Sequence, residues 1–516
     1  MRCSTAIIGS GVTGSIIARE LLDAGESDVV LVEAGARMPM RDRRVWLDHV
    51  MAERDVFAAH RADDADCENA GRTSFSVRHS QLRVRGGATL IWHGIAMRLK
   101  PEDFLLRSLT GVGADWPLTY DDMEPYYSTA ERTLLVAGDA DDPGHPPRSG
   151  PFPLPAFPFE LDDGAFLEAM HRRGAGVQHQ CLSRNSAPVS GRATCQTNGT
   201  CRYCPIGARF TGDQLLDEVE ARPGARVVSS TAAVRIRFAD RRRAVALETL
   251  DVVSGARGSI EAERFVICGG GIETPKLLLD SRAPWWPDAP GDGARHVGRH
   301  FFTHPLIVME GHRAPNPGRV TKELGFPTAT SRHYDDVPYQ RTGKFSIQCW
   351  GSGHDLAEMM TSGASRREVQ ARIAAENGSG LAVLVDEVPD AHNRIAMGRG
   401  RDRFGLPRTT IHYTWSARIE SQLDRIKSQV AGILREMRCR MGSVVTRPAA
   451  HPMGTCRMSR TAATGVVDPD LRVHGIDNLY VCGSAVFPTG GAVNPTLTIA
   501  ALAHRLGGHL ARARPR

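Results

Sequence analysis

Three glycines near the start of the chain, with an acidic residue beyond them, have a spacing that suits nucleotide binding. Gly9, Gly11 and Gly14 follow an apolar run in the pattern GxGxxG, and Glu33 ends the next apolar run. Such glycines permit a tight turn and close approach to a pyrophosphate, while a carboxylate accepts hydrogen bonds from ribose hydroxyls and disfavours a 2′-phosphate. The segment therefore predicts FAD or NAD rather than NADP. The predicted contacts are Gly9, Gly11, Val12, Thr13, Gly14, Glu33 and Ala34.

Apolar segments far along the chain are predicted to complete the sheet behind this turn. Residues 226–234, 265–279 and 479–488 each contain a strand, and the last two strands are followed by glycine turns. Because these segments are hundreds of residues apart, we expect a discontinuous nucleotide-binding domain. The predicted contacts at these strands are Val234, Gly269, Gly270, Gly483 and Ser484.

Composition argues against several classes of protein. The 516 residues carry a net charge of +6 without a dense basic run, so nucleic acid is not an expected partner. No apolar run reaches about 18 residues, and we expect no membrane-spanning helix. Eleven cysteines, an odd number without a signal peptide, indicate a reducing cytoplasm. At this length two or three structural domains are expected.

The order of motifs resembles that of the glucose-methanol-choline (GMC) oxidoreductases, a family of flavoproteins. The resemblance covers nearly the whole length, and HPMGTCRM and GGAVNPTLT are most similar to the pyranose oxidase and sugar dehydrogenase branch. That branch includes glucoside 3-oxidases and aminoglycoside 6′-dehydrogenases. Besides the first glycines and Glu33, the matching segments are 85–89, 115–127, 268–279, 297–300, 393–394, 451–458 and 494–498.

The resemblance implies an α/β architecture of two parts. One is a Rossmann-like discontinuous FAD-binding domain, which we expect to comprise 1–100, 190–298 and 440–516. The other is a substrate domain with a mostly antiparallel sheet and flanking helices. We expect 101–189 and 299–439 to form this domain and the connecting segments.

His451 and Asn494 match the family's catalytic histidine and the partner that holds the substrate oxygen. Alcohol oxidation by a flavin needs a base that takes the hydroxyl proton while hydride leaves the carbon for flavin N5. A neutral imidazole near pH 7 suits this role. The alternative is that His451 only caps a turn or satisfies a buried carbonyl.

A helix is predicted to begin at Pro495 and Thr496 and to run through the apolar residues Leu497 to Leu506. Proline suits the first turn of a helix. If this N-terminus points at the flavin, its dipole stabilises the negative charge of the reduced ring, and both residues contact the cofactor. The alternative is an ordinary core helix.

The segment that starts at Arg85 supplies glycine backbone for close approach to the flavin. Pyranose oxidases carry a covalent flavin–histidine bond two residues after a threonine or serine here, but Ile91 holds that place. We therefore predict non-covalent FAD, with a linkage displaced to His93 as the alternative. Trp92 and His93 either line the substrate pocket or pack in the core. The predicted contacts are Arg85, Gly86, Gly87, Ala88, Thr89, Trp92 and His93.

Three cysteines precede a Pro-Ile-Gly-Ala sequence, as in sugar dehydrogenases of the family that hold an iron–sulfur cluster. Cys195, Cys201 and Cys204 could in principle bind such a cluster, but their spacing differs from the expected pattern and no fourth ligand is evident. The simpler interpretation is a cysteine-containing loop over the flavin. No metal site is predicted.

The predicted reaction is oxidation of a hydroxyl of a sugar, glycoside or amino sugar to a carbonyl, and an aminoglycoside 6′-dehydrogenase is the most specific candidate. Oxygen, a quinone or a redox protein would reoxidise the flavin. His354, Asp355, Glu358, Asp386 and Glu387 could meet substrate hydroxyl or ammonium groups, although acids on loops are usually solvated.

Other reactions stay possible at this point. A glycoside 3-oxidase or pyranose 2-oxidase is the nearest alternative within the family. A non-redox flavin-dependent lyase, or an NAD-dependent dehydrogenase that shares only the glycine turn, would be an enzyme of another class.

Overall fold

Strands and helices alternate at the start of the chain, whereas strands dominate its middle. The computed structural model describes residues 1–51, 55–160, 163–189, 191–196, 201, 203–313, 326–351, 365–368, 371, 377–402 and 404–513. The strands are β1 (Arg2–Ile8), β2 (Val29–Val32), β3 (Cys67–Asn69), β4 (Val136–Gly138), β5 (Leu154–Pro155), β6 (Gln178–His179), β7 (Leu182–Ser183), β8 (Ala225–Val228), β9 (Thr231–Phe238), β10 (Ala244–Asp251), β11 (Arg257–Ile267), β12 (Pro305–Arg313), β13 (Ala329–Ser331), β14 (Phe345–Gly351), β15 (Asn377–Val385), β16 (Arg394–Arg401), β17 (Pro407–His412), β18 (Arg440–Pro448) and β19 (Leu479–Val481). The helices are α1 (Val12–Asp23), α2 (Arg43–Met51), α3 (Val77–Ser80), α4 (Leu106–Thr110), α5 (Tyr120–Leu134), α6 (Asp163–Arg172), α7 (Gly212–Glu220), α8 (Gly270–Asp280), α9 (Ala417–Glu436) and α10 (Thr496–Arg512).

The first sheet is built from the apolar runs that flank the glycine turns. Its order is β8-β2-β1-β11-β10-β9, and β19 pairs with the last residues of β11. Strands β8, β2, β1, β11 and β19 pair in parallel, while β10 and β9 are antiparallel. Strands β1, β2 and β19 are buried on both faces, as continuous apolar runs predict. Because its strands come from both ends of the chain, this unit is discontinuous.

The second sheet is antiparallel throughout, in the order β18-β12-β15-β14-β13-β6. Helix α9 is amphipathic and packs its apolar face on β12 and β18, beside α6. The predicted antiparallel sheet with flanking helices is therefore confirmed. Residues 440–448, which we expected in the FAD-binding part, pair with β12 in this sheet.

Two three-stranded sheets, β16-β17-β3 and β5-β4-β7, complete the strand pairing of the described residues. Among those residues, no helix has the length and apolar character that crossing a bilayer requires.

Candidate active site

The glycine turn after β1 leaves room for a ligand at one position and packs closely at another. Gly9 has φ of +107°, a left-handed conformation that favours glycine. A Cβ at Gly14 would lie 2.0 Å from the Gly9 carbonyl oxygen, so this glycine lets α1 approach β1. A Cβ at Gly11 would meet no atom within 4 Å and would project into open space. This is the distribution of roles that a dinucleotide turn requires.

Glu33 lies at the carboxyl end of β2 and faces the same turn. Its Oε2 accepts hydrogen bonds from the Ser10 backbone N–H at 3.1 Å and hydroxyl at 2.8 Å, and its Oε1 accepts one from the Gly35 N–H at 2.8 Å. Burial raises the pKa of Glu33, and these hydrogen bonds oppose the rise. Oε1, which accepts only one of these bonds, keeps acceptor capacity for a ribose hydroxyl.

A single cavity of about 1180 Å³ follows the carboxyl ends of β1, β2, β11 and β19, where ligands bind in sheets of this type. It joins the nucleotide turn to the predicted catalytic pair. The predicted residues that line it are Gly9, Gly11, Val12, Thr13, Glu33, Ala34, Gly86, Gly87, Ala88, Thr89, Trp92, His93, Val234, Gly269, Gly270, His451, Gly483, Ser484, Asn494, Pro495 and Thr496.

Arg85 does not line the cavity, contrary to its predicted cofactor contact. Its buried guanidinium pairs with Glu220 of α7, with Nη1 3.2 Å from Oε1, and lies 3.7 Å from Asp217. Carboxylates on a neighbouring helix therefore hold this side chain away from the cavity. Its role here is to attach the segment of Gly86 and Gly87 to α7.

The segment after Arg85 forms a one-turn 3₁₀ helix at the cavity wall. A Cβ at Gly86 would lie 2.3 Å from the Asp213 backbone nitrogen, so only glycine fits there. Thr89 Oγ1 accepts the Gly212 N–H at 2.7 Å, and Trp92 Nε1 donates to the Phe210 carbonyl at 2.8 Å. Trp92 thus both packs on the core and lines the cavity, so the two predicted alternatives coexist.

His451 and Asn494 are in contact. His451 Nε2 lies 3.2 Å from Asn494 Nδ2, and on the other side of the ring Nδ1 lies 2.9 Å from Nδ1 of His304. The remaining nitrogen of His304 lies 3.0 Å from the Gly491 carbonyl oxygen. A chain of hydrogen bonds therefore runs from the backbone of Gly491 through two imidazoles to the amide.

The donor and acceptor roles along this series of hydrogen bonds leave a lone pair on His451 Nε2. Burial lowers the pKa of His304 to about 4, and burial, with help from His304 and His93, lowers the pKa of His451 well below its usual value. Both rings are neutral at pH 7. His304 must donate Nε2–H to Gly491, so its Nδ1 accepts Nδ1–H of His451. His451 Nε2 is then an unprotonated base that faces the cavity.

The amide of Asn494 is oriented from the second sheet. Gln348 on β14 donates from Nε2 to Asn494 Oδ1 at 3.1 Å. This bond turns the NH₂ group of Asn494 towards His451 Nε2, where it also meets the cavity. Gln348 and His304 were missed in the sequence, since no motif or spacing distinguishes one buried glutamine, or one of nineteen histidines, from the rest.

The N-terminus of α10 opens on the cavity. Pro495 is the N-cap residue with φ of −78°, no side chain caps the helix, and Thr496 and Ile499 line the cavity. Free N–H groups and the positive end of the dipole therefore face the cavity. The helix continues to Arg512, beyond the predicted end at Leu506.

The three clustered cysteines and the candidate substrate-binding acids do not line the described part of the cavity. Cys201 is buried and Cys195 and Cys204 are half-buried, but in the described part of the chain the three sulfurs do not converge within 4.8 Å. Asp386 and Glu387 are buried rather than solvated, and neither lines the cavity. The remaining candidates, His354, Asp355 and Glu358, lie outside the described residues.

Comparisons with known proteins agree with this geometry. The fructose dehydrogenase large subunit of Gluconobacter japonicus is 27% identical over 98% of the chain and 97% of its own length. Paromamine 6′-oxidase of Streptomyces fradiae is 28% identical over 97% of the chain and 89% of its own length. The crystal structure of pyridoxine 4-oxidase from Mesorbium loti covers 100% of both chains with a TM-score of 0.68 at 19% identity, which shows a shared fold.

Family models decide the classification. Residues 84–306 match the N-terminal model of the GMC oxidoreductases, and residues 389–503 match the C-terminal model. Together these matches cover more than half of the chain and include parts of the cavity wall and both His451 and Asn494. The chain therefore belongs to the GMC oxidoreductase family.

Proposed function

We propose that this enzyme oxidises a hydroxyl group of a sugar or glycoside to a carbonyl. The observation that carries the proposal is the unprotonated Nε2 of His451, which faces the nucleotide cavity beside the NH₂ group of Asn494. A base and a hydrogen-bond donor that meet at one point are what a substrate hydroxyl requires. The sugar-oxidising relatives support the substrate class.

FAD is the cofactor, and the cavity fits it. Gly11 leaves open space where a Cβ would stand, Glu33 offers acceptors for a ribose, and the N-terminus of α10 faces the cavity. When bound, FAD supplies the acceptor for the hydride that leaves the carbon bearing the hydroxyl. The non-covalent state stays a prediction, and acid precipitation tests it because free flavin then stays in the supernatant.

The residues of the chain account for the fate of the proton. His451 Nε2 takes the hydroxyl proton, while the NH₂ group of Asn494 holds the same oxygen. The imidazolium keeps its Nδ1–H bond to His304, so the ring does not rotate as its charge changes. The carbon loses a hydride, the oxygen loses a proton, and a C=O bond forms.

One cationic side chain of the cavity supports a neutral sugar over an amino sugar. Arg447 lines the cavity four residues before His451, and no ion pair of Arg447 is found among the described residues. The acids that could have met an ammonium group, Asp386 and Glu387, are buried away from the cavity. An aminoglycoside oxidised at the 6′ position is the second candidate, and paromamine 6′-oxidase supports it by similarity.

One anaerobic experiment tests the proposal. The purified yellow protein is mixed with fructose, alkyl and aryl glucosides, paromamine and simple alcohols, and the visible absorbance of oxidised flavin is followed. Bleaching by sugars or glycosides is the expected result, and preferential bleaching by paromamine would select the second candidate. A flavin that no alcohol bleaches would indicate the lyase and contradict the proposal. A colourless protein that binds NAD would contradict the cofactor assignment.

The electron acceptor and the location complete the proposal. Oxygen, a quinone and a redox protein are the predicted acceptors, and oxygen uptake compared with reduction of a soluble quinone separates the first two. A cytoplasmic location is supported by the eleven cysteines, all of which are free thiols. We also propose that the two large sheets mark the FAD-binding and substrate domains, with 440–448 assigned to the latter.

A further inference from the structure

Outside the cavity, ligand atoms of three side chains of metal-ligating type converge on one point, and a fourth such side chain, His145, lies beside them. Asp139, Asp142 and His145 lie at intervals of three residues in the loop after β4, and His179 lies in β6. Ligand atoms of Asp139, Asp142 and His179 all lie within 4.8 Å of one another. His179 Nδ1 is 2.9 Å from Asp142 Oδ2. A local loop and a distant strand thus contribute oxygen and nitrogen donors to one place.

His145 points into this group without a hydrogen-bond partner. Its side chain is 8% exposed, and its Nε2 lies 4.0 Å from Asp142 Oδ2, too far for a hydrogen bond. No other described group bonds this nitrogen, although the ring is hydrogen-bonded to the backbone of Asp139. An ion pair between His179 and Asp142 accounts for the placement of those two side chains, but it does not account for the unpartnered nitrogen of His145.

The tautomer of His145 makes the arrangement unfavourable unless a cation is present. The hydrogen bond to the Asp139 backbone uses Nδ1 as the donor, so the unpartnered Nε2 directs its lone pair at the Asp142 carboxylate. A lone pair and an anion repel each other in a poorly solvated place, whereas a metal ion between them would bind both.

We propose that Asp139, Asp142, His145 and His179 bind one divalent transition-metal ion, with Zn²⁺ the best match. Two imidazoles and two carboxylates suit zinc, whereas Ca²⁺ and Mg²⁺ take oxygen ligands. In a tetrahedral zinc site with bonds of about 2.0–2.1 Å, ligand atoms lie about 3.3–3.5 Å apart. His179 and His145 lie 2.9 and 4.0 Å from the same Asp142 oxygen, so His145 must move towards the other three ligands when the ion binds. His179 releases its Nδ1 proton on binding, since a ligating imidazole is neutral.

The ion would stabilise the fold rather than take part in the oxidation. β6 pairs with β13 at the edge of the second sheet, and the ring of Phe159 stacks on His179 with centroids 3.9 Å apart. The loop leads into the proline-rich segment before β5, which has few backbone hydrogen bonds of its own. A metal would fasten this segment to the sheet.

Zinc content and thermal unfolding test the site in the flavin-loaded enzyme. The protein is treated with EDTA, dialysed, reconstituted with Zn²⁺ and measured by elemental analysis. We expect about one zinc per chain in the wild type and less than half of that in His145→Gln and His179→Gln. Zn²⁺ should raise Tm of the EDTA-treated wild type by more than about 2 °C but leave His145→Gln unchanged. His171→Gln, on the exposed face of α6, is the control and should behave as wild type.

Three results would overturn the inference. They are wild-type zinc below background with no change in Tm, equal zinc in the wild type and His145→Gln, or stabilisation by Ca²⁺ but not by Zn²⁺. If His145→Gln precipitates, Asp139→Asn replaces it, because this variant leaves both imidazoles in place. Neither the zinc content nor Tm depends on substrate oxidation. Failure of the metal-site inference is therefore distinguishable from failure of the proposed function.

Discussion

At the scale of single residues, the proposed oxidation depends on the protonation state of His451 Nε2. His451 Nε2 can act as a base only if the ring proton is on Nδ1, and the acceptor that holds it there is His304. His304 is itself fixed by the Gly491 carbonyl. In the proposed mechanism His304 is therefore a positioning residue, whereas His451 and Asn494 touch the substrate.

His451→Gln should lower kcat by about 10²–10⁴ because it removes the base. Flavin content should stay at the wild-type level, since the nucleotide turn is remote in sequence and unchanged. Anaerobic rapid mixing measures the rate of flavin reduction directly. His171→Gln is the matched control and should reduce its flavin at the wild-type rate. A His451 variant that keeps wild-type turnover would exclude the proposed mechanism.

His304→Phe should lower kcat about tenfold or more, because His451 loses the acceptor that selects its tautomer. His304→Gln, which retains an acceptor oxygen, should recover part of the rate. A pH profile of kcat/KM separates this role from a merely structural one. Since the pKa of His451 lies well below 6.5, the wild-type rate should not change with pH above 6.5 and should fall only at lower pH. An unchanged profile and rate in His304→Phe would contradict the positioning role.

At the scale of elements, the ends of strands and helices meet in one cavity. β1 and β2 end at the nucleotide turn and Glu33, whereas α10 begins beside the catalytic pair. The glycine turn shows how one element serves packing and binding at different positions. Gly14 is pressed against the backbone of Gly9, whereas Gly11 borders open space.

Two glycine variants should separate packing from binding. Gly14→Ala places a Cβ 2.0 Å from a backbone oxygen, so it should lower the Tm of the apoprotein and abolish flavin binding. Gly11→Ala meets no protein atom and should leave the apoprotein Tm unchanged while weakening FAD binding. Tm of the apoprotein and FAD titration provide the two readouts. Gly164→Ala, in the exposed first turn of α6, is the control and should not reduce stability. Equal loss of Tm in the Gly11 and Gly14 variants would contradict this division.

At the scale of the whole molecule, the two large sheets hold different parts of the site. The first sheet holds the nucleotide turn, whereas His304 and Gln348 belong to segments of the second sheet or its border. Glu387 is a buried acid in contact with Thr303, which lies just before β12. Burial raises the pKa of Glu387 to about 8, although its carboxylate accepts hydrogen bonds from the Tyr413 hydroxyl and the Thr303 N–H.

Glu387 should make stability fall as pH rises. Its folded pKa of about 8 lies above its ordinary value of 4.5, so between these values the folded state retains a proton that the unfolded state has lost. The loss of stability amounts to at most about 1.4 kcal/mol per pH unit. Glu387→Gln should remove this component, and its Tm relative to the wild type should increase from about pH 5 to about pH 8. Glu168→Gln, exposed on α6, is the control. A Tm difference that does not depend on pH would contradict the raised pKa.

The sequence by itself predicted the family, the nucleotide turn and the antiparallel character of the second sheet, and it singled out His451 and Asn494, which the structure brings into contact. The nucleotide turn depends on local spacing, and the other predictions depend on contiguous motifs and on the family resemblance that they carry. Only the tertiary structure decided which side chains support that pair. The contacts of His304 with His451 and of Gln348 with Asn494 join residues 147 and 146 positions apart. The same holds for Arg85, whose carboxylate partner lies 135 residues away and draws its side chain from the cavity.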